Sequence, residues 1–187
     1  MQIRYIISYA VGLILCGLVL WFGYFDGTKS PIQPYNAVYH REAVLDIFHQ
    51  NWFWLVAKTQ EEARQVGYSP AYRFNYLAPT DRSEDVGKLI VKVYMDEGAV
   101  AGFVAYYMKS FYKGVILFLA IDEEHRRKGY ARKLLDYAVV DLEERGATVI
   151  ELLTRLKNER ARGLYETLGF KEASRFDKFI TYQLDTP

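Results

Sequence analysis

The run Val115-Ile116-Leu117-Phe118-Leu119-Ala120-Ile121 leads through the polar bend Asp122-Glu123-Glu124-His125 into Arg126-Arg127-Lys128-Gly129-Tyr130-Ala131. After it, Ala131, Leu134, Leu135, Ala138, Val139 and Leu142 recur at helical spacing, up to a stop signal at Arg145-Gly146. A continuous apolar run of this length reads as a strand buried on both faces. The spacing that follows reads as an amphipathic helix laid on the sheet. Between the two lies a short basic loop, glycine at its centre, opening onto a helix N-terminus.

Such a junction suits an anion. The first N–H groups of a helix lack internal partners, and the helix dipole there favours negative charge. Gly129 and Ala131 keep side-chain bulk away, so a phosphate can approach the main chain. Arg126, Arg127, Lys128 and Arg132 surround the same point with positive charge. An ordinary strand-to-helix turn with solvated charges has the same composition, so the loop alone does not decide its use.

A second stretch decides it: Asn158-Glu159-Arg160-Ala161-Arg162-Gly163-Leu164-Tyr165-Glu166-Thr167-Leu168-Gly169-Phe170. Together the two stretches resemble the GNAT superfamily of acyl-CoA-dependent N-acyltransferases. The family's phosphate loop reads Arg/Gln-x-x-Gly-x-Gly/Ala, matched by Arg126, Gly129 and Ala131. Its second signature, Asn-x-x-Ala-x-x-Leu-Tyr-x-x-x-Gly-Phe, is matched at every fixed position. The likeness is sharp over Val115–Phe170 and extends as element order to about Pro31–Leu184.

The resemblance implies an α/β (α+β) fold, with a mixed central β-sheet of about six to seven strands flanked by helices. It implies acetyl-CoA as cosubstrate and transfer of its acetyl group to a primary amine: a protein N-terminus, a lysine or a small amine. A non-catalytic acyl-CoA sensor or interaction module on the same fold is the alternative. The family's cofactor contacts fall here on Arg126, Arg127, Lys128, Gly129, Tyr130, Ala131 and Arg132. Leu119 and Ile121 would offer main-chain groups to the pantetheine arm where the central strands splay. The family asparagine that contacts the cofactor corresponds to Asn158, which is equally a helix N-cap by type. The family tyrosine that protonates the coenzyme A sulfur corresponds to Tyr165.

The chemistry defines what else to look for. A lysine amine, at pKa ~10.4, is almost wholly protonated at pH 7, whereas an α-amino group near ~8 is far easier to deprotonate. Direct transfer wants an acid near the sulfur and a base, or a water chain, near the amine. In the ribosomal-protein alanine acetyltransferase branch, a glutamate occupies the strand position held here by Leu153. Glu151 lies two residues earlier on the same strand face and is the candidate substitute. A solvated or salt-bridged carboxylate at Glu151, with ordered water as base, is the competing reading.

Composition bounds the rest. The chain has 187 residues and a net charge of +1, which gives no global electrostatic case for nucleic acid. Cys16 is the only cysteine, which excludes an intrachain disulfide and a cysteine-based zinc site. His40, His49 and His125 show no metal-ligand spacing, so no metal is expected.

Tyr5 through Phe25 contains no charged residue. A helix of that length spans roughly 31 Å, against ~30 Å for the hydrocarbon core of a bilayer. Tyr5 at one end, with Trp21 and Tyr24 at the other, suits the two interfaces. The run reads as a single transmembrane helix. Residues 1–30 are then anchor and linker, and 31–187 the catalytic domain. No small-x-small cleavage site is clear, Leu15 before Cys16 does not suit a lipoprotein signal, and a buried helix would show a polar face. Ser8, Gly12 and Cys16 recur every four residues, which leaves a homodimer open. Flanking charge barely chooses an orientation. Cytoplasmic placement of the catalytic domain follows from acetyl-CoA supply if the resemblance holds.

Elsewhere the pattern predicts a strand near Ile32–Tyr39, a helix from about Glu42 to Gln50, and a second helix capped by Thr59 with Glu62. Asp81 to Gly87 reads as a polar loop. Lys88–Met95 and Ala99–Met108 form a hairpin turned at Asp96-Glu97-Gly98. A strand over Thr148–Arg155, a helix over Asn158–Leu168, and a closing pair Phe170–Arg175 and Phe179–Leu184 follow.

Overall fold

The computed structural model describes residues 30–70 and 86–186. The expected transmembrane run Tyr5–Phe25 and most of the polar loop from Asp81 lie outside them. Among the described residues no helix is long and apolar enough to cross a membrane. All the described elements belong to one unit, Ile32–Pro187.

In chain order these elements are β1 (Ile32–Pro34), α1 (Arg41–Gln50), α2 (Trp52–Leu55), α3 (Gln60–Gln65), β2 (Ile90–Asp96), β3 (Ala99–Met108) and β4 (Lys113–Ile121). A 3₁₀ turn (Glu123–His125) precedes α4 (Tyr130–Glu144), β5 (Val149–Arg155), α5 (Glu159–Thr167), β6 (Lys171–Phe176) and β7 (Phe179–Asp185). The strands form one seven-stranded mixed sheet in the order β1-β2-β3-β4-β5-β7-β6. Every pairing is antiparallel except β4 with β5.

The local chemistry explains most boundaries. Glu97 and Gly98 both have positive φ, at 49° and 85°, as a tight two-residue hairpin between twisted strands requires. Thr59 and Glu62 form the expected reciprocal capping box at the start of α3. β1 is shorter than the expected Ile32–Tyr39. Pro34 brings no N–H, and the Asn36 side chain accepts from the N–H groups of Val38 and Tyr39, which turns the chain before it can pair further. The short helix α2 is not signalled by spacing, because four residues are too few to show a period.

Two apolar layers cover the sheet. On one face Leu134, Leu135, Ala138 and Leu142 of α4, with Tyr165 of α5, pack on Val104, Tyr106, Ile116, Ile150 and Leu152. On the other face Val44, Ile47 and Phe48 of α1, Trp52 of α2 and Ala63 of α3 pack on Val93, Phe103, Ala105, Phe118 and Ala120. Ile116 and Phe118 therefore face opposite layers although they are two residues apart. The cause is a bulge: Ala105 pairs with Phe118 and Tyr106 with Ile116, so Leu117 has no partner on β3. The apolar run expected to be buried on both faces is covered on both, Leu119 and Ile121 packing against the α4–α5 layer and Leu117, Phe118 and Ala120 against the α1–α2 layer. The bulge shifts which alternate residues serve each layer.

Gly102 of β3 fixes the far end of β4. A Cβ there would come within 2.7 Å of the Ala120 carbonyl oxygen and would also strike the Ile121 side chain. Gly102→Ala is expected to destabilise the protein by about 1–3 kcal/mol, read as a lowered midpoint in urea unfolding.

Candidate active site

β4 and β5 run as parallel neighbours only where Lys113, Gly114, Val115 and Ile116 face Val149, Ile150, Glu151 and Leu152. Beyond that point Phe118–Ile121 pair with β3 alone and Leu153–Arg155 with β7 alone. The bulge at Leu117 coincides with the last shared rung. The two central strands part there, and the main-chain groups facing the gap have no ladder partner.

A cavity of about 910 Å³ occupies this parting. From the α4–α5 side it is lined by Gly129, Ala131, Asn158 and Tyr165, and from the α1–α2 side by Asn51, Trp54 and Leu55. Leu119 and Ile121, the expected main-chain contacts, lie along it. The cavity therefore connects the two faces of the sheet.

The loop before α4 has the form an anion site needs. Arg127 is held at φ 69° and Gly129 at φ 81°. Gly129 is the N-cap of α4 and supplies no capping side chain. No atom lies within 4 Å of where its Cβ would be, so the space above the first turn is open. A left-handed non-glycine residue costs about 1–2 kcal/mol, and such strain concentrates at ligand clamps.

The basic side chains divide into two sets. Arg126 is engaged within the protein: its guanidinium donates to the Ile121 carbonyl (3.5 Å), Glu123 (3.2 Å) and the Asn51 Oδ1 (3.3 Å). Lys128 turns away from the cavity to Asp96, at 3.1 Å. Asp96, at the end of β2 beside the turn to β3, supplies the carboxylate, and Lys128 is not among the residues lining the cavity. Arg132 lines the cavity at 3.9 Å from Asp136. Arg127, Lys157 and Arg160 line it as well, and none has an ion-pair partner among the described residues. Tyr130 stacks on Tyr94 with centroids 4.2 Å apart. The carboxylate of Asp96, hydrogen-bonded to its hydroxyl, pushes the phenol up to about 12. His125 sits between Asp122 (2.9 Å) and Asp96 (3.8 Å) and braces the 3₁₀ turn.

Asn158 caps α5, its Oδ1 accepting from the Ala161 N–H at 3.4 Å while its Nδ2 donates to Thr154 Oγ1 at 3.3 Å. Tyr165 is buried on the inner face of α5, between Phe170 and Tyr182. Among the described residues its hydroxyl makes no hydrogen bond. Burial, and then the neighbouring Tyr182 hydroxyl, push its phenol up to about 12.

Glu151 is not brought to this group. It lies on the closed part of the β4–β5 ladder, outside the cavity lining, and accepts from Lys113 Nζ at 2.7 Å. Of the two readings of Glu151, candidate base or salt-bridged carboxylate, this ion pair matches the second. The position that does reach the cavity on that face is Leu153. Among the described residues no cluster of His, Cys, Asp and Glu is placed to hold a metal ion.

Sequence reasoning misses Asn51, Arg155, Lys157 and Arg160. Asn51 is buried, donates to the Ile47 and Ile121 carbonyls and accepts from Arg126, so it ties α1 to the loop. Arg155 is buried and donates to the carbonyls of Phe53 (2.5 Å), Val56 (3.0 Å) and Ala57 (3.2 Å), which locks α2 onto β5. Lys157 and Arg160 flank the signature asparagine, and that adjacency is a signal a reader of charge could use. Replacing the cap, Asn158→Ala, is expected to cost about 1 kcal/mol of stability and Asn158→Asp to recover most of it, measured as unfolding midpoints in denaturant.

Comparison with known proteins agrees with this geometry. A 56-residue segment is 41% identical to the [ribosomal protein bS18]-alanine N-acetyltransferase of Escherichia coli K12, covering 30% of this chain and 38% of that enzyme. An 88-residue segment is 32% identical to N-alpha-acetyltransferase 30 of Xenopus laevis, covering 47% of this chain and 32% of that protein. The chain thus spans less than half the length of these curated relatives. The structure of PaiA N-acetyltransferase from Thermoplasma acidophilum, in complex with coenzyme A, superposes with a TM-score of 0.67 at 16% identity, over 83% of this chain and 99% of that one. The profile of the acetyltransferase (GNAT) family matches residues 41–170. With both signatures meeting at the cavity on one face of the parted sheet, the chain belongs to the GNAT family of acetyltransferases.

Proposed function

We propose that the protein is an N-acetyltransferase that moves an acetyl group from acetyl-CoA directly to a primary amine. One observation carries this reading. The cavity through the β4–β5 parting joins a helix start with no side-chain cap, bordered by Arg127 and Arg132, to the Tyr165 side chain. The relatives' names, and the coenzyme A bound in the Thermoplasma neighbour, support the same donor and acceptor chemistry.

The diphosphate fits the open first turn of α4, where Gly129 leaves space and Arg127 and Arg132 supply charge. Lys157, Arg160 and Asn158 border the same side, and the pantetheine arm runs past Leu119 into the gap. The thioester carbonyl then lies among main-chain groups freed by the bulge, which stabilise its oxygen as it gains charge. The amine arrives from the α1–α2 face. Its nitrogen bonds to the carbonyl carbon, the C–S bond breaks, and the sulfur takes a proton from Tyr165. The surplus proton of the amine leaves to water, and the phenol is restored from solvent.

Tyr165→Phe is expected to lower kcat by 10²–10⁴-fold with coenzyme A affinity retained. Glu151→Gln should leave kcat nearly unchanged. Because the folded phenol ionises near 12, the acid form persists as pH rises. The pH profile of kcat/KM should climb as the acceptor amine deprotonates and show no Tyr165-dependent fall below about pH 11. Thiol release across a pH series checks all three. Normal coenzyme A binding with no turnover on any amine would favour the acyl-CoA sensor, a reading supported by the absence of an acidic side chain at Leu153.

The same reading keeps residues 1–30 as a membrane anchor and linker and 31–187 as the catalytic domain on the cytoplasmic side. The charge-free run from Tyr5 to Phe25 supports it. The full chain should stay with the membrane pellet through alkaline extraction, and release into the supernatant would overturn the anchor.

A further inference from the structure

The acceptor half of the cavity has its own chemistry. Its wall on the α1–α2 face is made by Trp54, Leu55, Leu117 and Leu153. Trp54 is 41% exposed and Leu153 60% exposed, although both are large and apolar. Several polar groups of α2 and of the turn before it are committed within the protein. The carbonyls of Phe53, Val56 and Ala57, at the end of α2, all accept from Arg155. The Asn51 side chain is taken up by Ile47, Ile121 and Arg126.

An ammonium group entering here would lose water and meet no carboxylate among the described residues of this wall, a cost that can reach several kcal/mol for a charged group. It would also meet a positive field. Among the described residues Arg155 is buried without a carboxylate partner, 4.2 Å from the centre of the Phe53 ring. The cavity beyond carries Arg126, Arg127, Arg132, Lys157 and Arg160 against one carboxylate, Glu159. Polyamines, amino sugars with several amines, and lysine side chains are therefore disfavoured. A peptide α-amine is neutral about 300-fold more often than a lysine amine at pH 7, and it needs no built carboxylate base.

The geometry points to an acceptor whose α-amine is flanked by a bulky apolar side chain, that side chain resting on Trp54, Leu55 and Leu153. The peptide N-terminus beginning with Leu, Met or Phe is the chemistry that fits. This rests on the transferase reading above and names its acceptor class. Leu153 is then a specificity residue: it covers the apolar side chain where a carboxylate would instead draw a cation.

The test uses the full chain, acetyl-CoA and thiol release on a panel of short peptides that differ only in the first residue, with spermidine and free lysine alongside. Leu-, Met- and Phe-initiated peptides should exceed Gly- and Asp-initiated ones in kcat/KM by about 10-fold or more. Leu153→Glu should remove most of that preference and raise the rate with spermidine, at unchanged coenzyme A affinity. Equal rates across the peptides, or spermidine or lysine as the better acceptor for the unaltered protein, would overturn the inference. Calorimetry with coenzyme A on the same preparation separates two failures. Binding with a flat or reversed preference removes this inference alone, whereas no binding removes it together with the transferase reading.

Discussion

The structure depends on one interruption of the β4–β5 ladder. A parallel pair normally satisfies every facing main-chain group along its length, and an unpaired buried group costs as much as a lost hydrogen bond. Here the pairing ends after Ile116 and Leu152, at the bulged Leu117. The bulge also rotates β4, so that Ile116 serves the α4–α5 layer and Phe118 and Ala120 the α1–α2 layer. One extra residue thus opens the sheet and seals both cores beside the opening. Gly102 permits it, because β3 must lie against Ala120 and Ile121 with no Cβ between them.

Around this opening the basic residues do two different jobs, which residue type alone does not distinguish. Arg126 and Lys128 spend their charge inside the protein, on Glu123, Asn51 and Asp96, and so hold the loop's shape. Arg127, Lys157 and Arg160 border the cavity with no such partner among the described residues. Shape and charge for an anion therefore come from different side chains. The strained φ of Arg127 is consistent with a loop set in advance rather than one that reorganises on binding.

How far the chain can be read without coordinates follows from the range of each signal. The strand and helix pattern from Val115 to Phe170 is legible because it is periodic, and the turns at Glu97-Gly98 and Gly146 are legible because they need positive φ. The capping roles of Thr59 and Asn158 are local and equally readable. The bulge is not, since it depends on register with a neighbouring strand. Glu151 illustrates the same limit. Alternation correctly sets it on the face of Leu153, but only the ladder shows that it sits on the closed side, within reach of Lys113. Arg155 reads as an ordinary strand cation until α2 is packed against it.

The acid at the centre is constrained by its own burial. A phenol at about 12 facing a thiol of pKa ~8.5 would lose about 5 kcal/mol on complete proton transfer to a free thiolate. In the proposed transfer Tyr165 would therefore act while the C–S bond is breaking, when the sulfur's charge is still developing, and not as a source of protons for a departed thiolate. The same desolvation that makes the phenol a reluctant acid keeps it protonated up to about pH 11, well past the point where an α-amine becomes neutral. In the same proposal the sheet keeps the cations around the start of α4 across the parting from the amine, whose neutral form the acceptor wall would favour. Binding an anion and admitting an uncharged nucleophile are then compatible in one cavity, because the parted strands place them on opposite faces.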